Sequence, residues 1–204
     1  MIYRIIIILL VSLAGYLSYS SINYAYVKFA VHNVKPEYTQ GNPDAKLTIV
    51  EFLDYSCGKC HDTDPALKTI LKNEKDVLFI PRPIFSQTIE GNLAGHFAYA
   101  AGRQGKFIEA HNALIETYRP LNDVLIDQII EELDLDKEQI IEDMKDQKIT
   151  RQLKKNYSYN RALGSPTIPT FFINNRILWI INIGQVPTAT EFQKVIQEAK
   201  DSAL

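Results

Sequence analysis

Leu47-Thr48-Ile49-Val50-Glu51-Phe52-Leu53-Asp54-Tyr55-Ser56-Cys57-Gly58-Lys59-Cys60 is the stretch that decides the fold. Its first seven residues form a mainly apolar run with the length of a buried strand. From Ser56 to Asn73 the period changes. Leu67, Ile70 and Leu71 fall at helical spacing, so the cysteine pair opens a helix. A single Cys-x-x-Cys between a strand and a helix points to dithiol–disulfide chemistry rather than to a metal. A structural zinc site needs four sulfur or imidazole ligands. Cys57 and Cys60 are the only cysteines, and His32, His61, His96 and His111 show no paired spacing. No metal and no organic cofactor is expected.

The chain has 204 residues, of which 46% are hydrophobic and 23% charged, a composition that suits one globular domain with room for an insertion. The formal net charge is −2 and no stretch reads as strongly basic, so nucleic acid is not an expected partner. There is no internal repeat or low-complexity tract.

The N-terminus stands apart. After Met1-Ile2-Tyr3-Arg4, no charge appears until Lys28, and Ile5 to Leu17 is almost entirely apolar. The dense part has the length of a signal-peptide core, whereas Ile5 to Val27 is long enough to cross a bilayer. Tyr16, Tyr19, Tyr24 and Tyr26 suit an interface. Residues 1–27 are therefore expected to be a cleaved signal peptide or an uncleaved anchor. Either one places the body outside the cytoplasm, in the periplasm or tethered to the inner membrane, because Arg4 stays inside. Disulfides form in that compartment.

Residues 28–45, with Asn33, Pro36, Gly41, Asn42, Pro43 and Asp44, read as a linker ending in a turn. The domain proper is expected over 46–204. Val77 to Ile80 reads as a second strand stopped by Pro81-Arg82-Pro83. A helical block follows over about 86–163, with breaks at Pro120-Leu121-Asn122 and near Asp134 to Asp136. Thr170 to Ile173 and Ile177 to Ile181 read as strands joined by an Asn174-Asn175 hairpin turn. Ala189 to Ala203 closes the chain as an amphipathic helix. This order predicts an α/β fold, a mixed central sheet flanked by helices, with the first two strands parallel.

Three pieces carry a family resemblance: Glu51 to Cys60, the helical block, and Thr167-Ile168-Pro169-Thr170-Phe171-Phe172. Over about residues 42–202 the chain resembles the thioredoxin superfamily and, within it, the DsbA-like thiol–disulfide oxidoreductases. The resemblance implies a thioredoxin fold with a helical insertion and a redox-active disulfide between Cys57 and Cys60. It implies a cis peptide bond at Ile168-Pro169 beside which an extended substrate strand binds. It also implies a buried acid at Glu51 that exchanges protons with the pair. Pro65 resembles the kinking proline of the thioredoxin active-site helix; the alternative is a helix that starts at Pro65 with Asp64 as its cap.

Physical chemistry leads the same way. A cysteine at a helix N-terminus faces unpaired amides and the positive end of the dipole, which favour the thiolate. Lys59, and His61 when protonated, add positive charge; Asp62 and Asp64 oppose it. The amides point at the sulfur, so Cys57 is expected to titrate between about 3.5 and 7, the range of redox-active pairs. Cys60, one turn on, is expected to be buried and to resolve mixed disulfides.

The leading expectation is an exported dithiol oxidase that acts on reduced or unfolded exported proteins and is reoxidised by a membrane redox partner. The alternatives are a disulfide reductase or isomerase, and a Cu(I)-binding metallochaperone using Cys57 and Cys60. Asn156-Tyr157-Ser158 fits a glycosylation acceptor, but so short a match is assigned no role.

Overall fold

The computed structural model describes residues 2–117, 121–182 and 184–202. Met1, Ala203, Leu204 and Pro120 of the expected helix break lie outside the described residues. The elements run α1 (Ile2–Ala30), β1 (Gln40–Gly41), β2 (Leu47–Leu53), α2 (Gly58–Asn73), β3 (Val77–Pro83), α3 (Ile89–Arg103), α4 (Phe107–Glu116), α5 (Asp123–Glu132), α6 (Lys137–Asp143), α7 (Gln147–Ala162), β4 (Thr170–Ile173), β5 (Ile177–Ile180) and α8 (Ala189–Asp201).

The sheet order is β1-β3-β2-β4-β5. β2 and β3 pair in parallel through the α2 crossover, and the remaining pairings are antiparallel. The β4–β5 hairpin turns on Asn174 and Asn175, both at positive φ, a conformation asparagine tolerates.

β3 does not stop at the prolines. Pro81 pairs with Glu51 and Pro83 with Leu53. The Ile84 amide donates to the Leu53 carbonyl at 2.9 Å, so by strand alternation the missing N–H groups of Pro81 and Pro83 face away from β2. On that side β1 reaches only Leu78 and Phe79, and no ladder bond is lost.

Alternation along β2 divides the core. Leu47 and Ile49 pack with Leu67 and Ile70 of α2 and Phe192 and Ile196 of α8. Val50 and Phe52 face the other way, onto Tyr159 of α7, Leu163 just past its end, and Val27 and Val31. Glu51 shares the parity of Ile49, so its carboxyl lies on the α2 side. Among the described residues the helical block between β3 and β4 is five helices. Thr88, Asn122, Asp136 and Asp146 begin four of them, each accepting an amide hydrogen on its side chain.

Residues 28–45 hold the end of α1, a 3-10 turn over Pro36–Tyr38, and β1. Lys28 to Ala30 continue the helix, and Val31 is fully buried on the sheet. The buried Arg82 guanidinium closes this end: Nη2 donates to the carbonyls of Ala30 (2.9 Å) and Val31 (2.7 Å), and Nη1 to Asn156 Oδ1 (3.1 Å). Upstream, α1 is exposed and is long and apolar enough to cross a membrane.

Candidate redox site

β2 ends at Leu53, and the chain turns through Asp54-Tyr55-Ser56 into α2. The turn is held locally: Asp54 Oδ1 accepts from the Ser56 amide and the Ser56 hydroxyl, both at 2.9 Å. Ser56 Oγ in turn accepts from the Thr88 hydroxyl (2.9 Å), which ties the turn to the start of α3. Gly91 makes that approach possible. A Cβ there would sit 2.4 Å from both Asp54 Oδ1 and Ser86 Oγ.

Cys57 is the N-cap of α2, with extended backbone, and its carbonyl accepts from the amides of Cys60 (2.9 Å) and His61 (3.3 Å). Its sulfur is half-buried, while Cys60 is fully buried, and the two sulfurs are unbonded. The Cys60 thiol is the largest influence on Cys57. With the amides of Cys60 and Lys59 it outweighs burial and the Asp54 charge, and holds Cys57 at about 6. That value falls in the expected range. The causes differ from those expected. The Lys59 ammonium points away, 3.5 Å from the Ile181 carbonyl. His61 is buried between the carbonyls of Tyr55 and Ile115, each 2.7 Å from a ring nitrogen. The opposing acid is Asp54 rather than Asp62 or Asp64. Burial, then the neighbouring Cys57 sulfur, pushes Cys60 far above the ordinary thiol value.

α2 runs unbroken through Pro65, so the helix does not begin there. This brings Asp64 and Lys68 within electrostatic reach of Glu51. Glu51 is 2% exposed, and burial, then the charges of Asp64 and Cys57, raise it well above the carboxylate range. Its protonated form is therefore favoured compared with an exposed glutamate. Burial also raises Asp64, against the pull of Lys68 Nζ at 2.8 Å. Tyr55 and His111 form a second buried contact, hydroxyl to Nδ1 at 3.1 Å, and burial lowers His111 to about 3.

The Ile168-Pro169 peptide bond is cis. Phe52 pairs with Thr170, so Ile168 and Pro169 precede β4 at the end of the sheet from which the Cys57 turn leaves. The loop is fixed through the Thr167 carbonyl, which accepts from Asn160 Nδ2 (2.9 Å) and the Thr170 hydroxyl (2.8 Å). Lys59 shares an open cleft with Pro166, Thr167, Trp179 and Ile181, so this loop and the cysteine helix form two walls of one groove. Asn156 is fully buried and donates to the Pro83 carbonyl, so its glycosylation match has no accessible acceptor.

The sequence assigns no individual role to Asp54 and Thr170, although both lie in the motifs of the resemblance, and does not single out Gly91 or Asn160. Only Asp54 left a local trace, as an Asp-x-Ser turn just before the pair.

Comparison with known proteins agrees with this geometry. The chain is 27% identical over 142 residues to the Na(+)/H(+) antiporter NhaA 3 of Salinispora tropica; the match takes in 69% of this chain. The chain spans only 22% of that relative's length. A thioredoxin-like oxidoreductase from Silicibacter pomeroyi superposes with a TM-score of 0.74 at 24% identity, over 84% of this chain and 96% of the other. The thiol-disulfide exchange protein alpha-DsbA2 of Wolbachia pipientis gives 0.72 at 19% identity, over 91% and 98%. The fold is thus that of the DsbA-like proteins. The thioredoxin family profile matches residues 33–198, so the chain belongs to the thioredoxin family.

Proposed function

We propose that the protein is a thiol–disulfide oxidoreductase that introduces disulfides into reduced proteins outside the cytoplasm. One observation carries the thiol–disulfide exchange chemistry of this reading: the half-buried Cys57 at the head of α2 titrates at about 6, beside a fully buried Cys60 whose thiol form is favoured. A substrate thiolate attacks Cys57 of the disulfide, and the Cys57–Cys60 bond breaks. Cys60 leaves and takes the proton that Glu51 carries. A second substrate thiolate attacks the substrate sulfur of the mixed disulfide and releases Cys57 as a stable thiolate. The substrate loses two electrons and the pair gains them. The backbone at Ile168 and Pro169 holds the substrate strand across the groove. A membrane redox partner then reoxidises the pair, and α1 keeps the protein at the membrane where that partner resides.

Magnitude leaves a second reading open. A thiolate at about 6 moves the potential by no more than ~30 mV toward oxidation at pH 7, and by less after solvent screening of a partly exposed sulfur. The gap between reducing thioredoxins and oxidising DsbA is about 150 mV. The deciding experiment incubates the oxidised protein with a reduced, unfolded substrate and measures the potential of the pair. Gain of substrate disulfides and a potential near −120 mV support the oxidase; no gain and a value near −270 mV make it a reductase.

A further inference from the structure

The net charge of −2 conceals one strongly basic element. α7 carries Lys148, Arg151, Lys154, Lys155 and Arg161 and no acidic residue, contrary to the whole-chain reading. At 3.6 residues per turn these five fall within an arc of roughly 140°, opposite the buried Ile149, Leu153 and Asn156. All five are exposed. Among the described residues none of them forms an ion pair with a carboxylate, whereas Arg103 beside them is paired with Asp143 and Asp146.

The placement of α7 gives this face a partner. Tyr26 lies against Tyr159, and Val27 shares a core cluster with Tyr159. Further along, Asn33, Val34 and Lys35 share a cavity with Lys148, Ile149 and Gln152. The end of α1 and its continuation therefore run antiparallel to α7. The C-terminal half of α7, with Lys155 and Arg161, lies on the side from which the apolar helix leaves the domain. Arg82 holds both, since it donates to the carbonyls of Ala30 and Val31 and also to Asn156. At 1.5 Å per residue, Tyr26 stands only about 6 Å beyond Ile22, the last large aliphatic residue of the uncharged run before Val27. Lys28, Lys155 and Arg161 are then level with the headgroups of a bilayer that α1 crosses.

We propose that the α7 face around Lys155 and Arg161 binds the phosphate groups of anionic lipids and seats the catalytic domain on the membrane. This rests on the reading that α1 lies in a bilayer. Each cation near an anionic surface is worth about fivefold in affinity at low salt, so the effect is strongly salt-dependent.

The test reconstitutes the full chain into nanodiscs of phosphatidylcholine alone or with phosphatidylglycerol, and reads amine labelling at Lys154 and Lys155 against Lys194. Labelling of Lys154 and Lys155 is expected to fall about fivefold or more in the anionic discs at low salt and to recover at high salt, with Lys194 unchanged. The Lys155→Gln, Arg161→Gln variant is expected to lose that protection at Lys154. Equal labelling in both discs overturns the headgroup site. Protection by an acidic polypeptide in phosphatidylcholine discs, with none from phosphatidylglycerol, overturns it in favour of a protein partner. Failure to enter discs of either kind refutes the anchor reading itself.

Discussion

The Cys60 thiol is the largest single influence that keeps Cys57 ionised, so the buried cysteine sets how stable its half-buried neighbour is as a thiolate. Cys60→Ala removes that donor and leaves only the α2 amides. The Cys57 midpoint, followed by thiolate absorbance against pH, is expected to rise above 6. An unchanged midpoint would show that the helix end alone sets it. In the reduced wild-type protein, iodoacetamide at pH 7 is expected to modify Cys57 and to leave the fully buried Cys60 untouched.

The same shift makes the reduced protein pH-dependent. Cys57 titrates lower in the fold than in the unfolded chain, where a thiol titrates near 8.5. Its contribution is therefore fully present above about 8.5 and is lost as pH falls through about 6. The disulfide form lacks the thiolate. The stability of the reduced form relative to the oxidised form is expected to rise from pH 5 to pH 8, measured as urea midpoints of both forms. Parallel midpoints would contradict the assignment.

Glu51 has the opposite sign. Its folded value lies above that of an unfolded glutamate, about 4.3, so its stabilising contribution is complete below that pH and is lost as pH rises through the folded value. Glu51→Gln is expected to leave thermal stability nearly unchanged at pH 4 and to raise it at pH 8, where folding of the wild type must either bury a charge or take up a proton. The variant should also slow release of Cys60 in single-turnover exchange, because the proton donor is gone. Equal melting shifts at both pH values would remove Glu51 from the proton inventory.

The strand–cysteine pair–helix unit was legible because period and spacing are local signals, and the parallel pairing of β2 with β3 followed from the crossover length. Proline is a local stop signal, so the sequence ends β3 at Ile80, whereas the side on which the missing N–H falls is set by pairing with β2. β1 has two residues and carries no period. Adjacency in sequence suggests a charge effect of Lys59 on Cys57, but its ammonium turns toward Ile181. Gly91 meets Asp54 through a tertiary contact that no sequence window displays, and Asn160 reaches the Thr167 carbonyl across a loop whose path the sequence does not give. The basic face of α7 was hidden by averaging charge over the whole chain.

Gly91 tests how tightly the cysteine turn is set. Gly91→Ala places a methyl group against Asp54 Oδ1, Ser86 Oγ and, at 2.7 Å, Ser56 Oγ. None of these short side chains can retreat without breaking the turn's hydrogen bonds. The expected cost is about 1–3 kcal/mol, the range for overpacking. Displacement of Asp54 is also expected to move the Cys57 midpoint, since Asp54 opposes its ionisation. A variant with wild-type stability and an unmoved midpoint would show that the turn absorbs the methyl group freely.

Arg82 tests whether α1 belongs to the catalytic body. Its buried guanidinium satisfies the Ala30 and Val31 carbonyls at the negative end of a 29-residue helix, and its charge is favoured there by the helix dipole. Arg82→Met keeps the volume and removes every donor. Each buried acceptor left unsatisfied costs about 1–3 kcal/mol, so residues 27–34 are expected to detach locally before the sheet unfolds. Tryptic cleavage at Lys28 should accelerate, and amide exchange at His32 to Val34 should rise. Exchange within β2 should hold, since Phe52 and Val50 retain Tyr159 and Leu163 against them. If the variant instead loses protection across β2 and β4 together, the helix end is an integral layer of the core rather than a clamped arm.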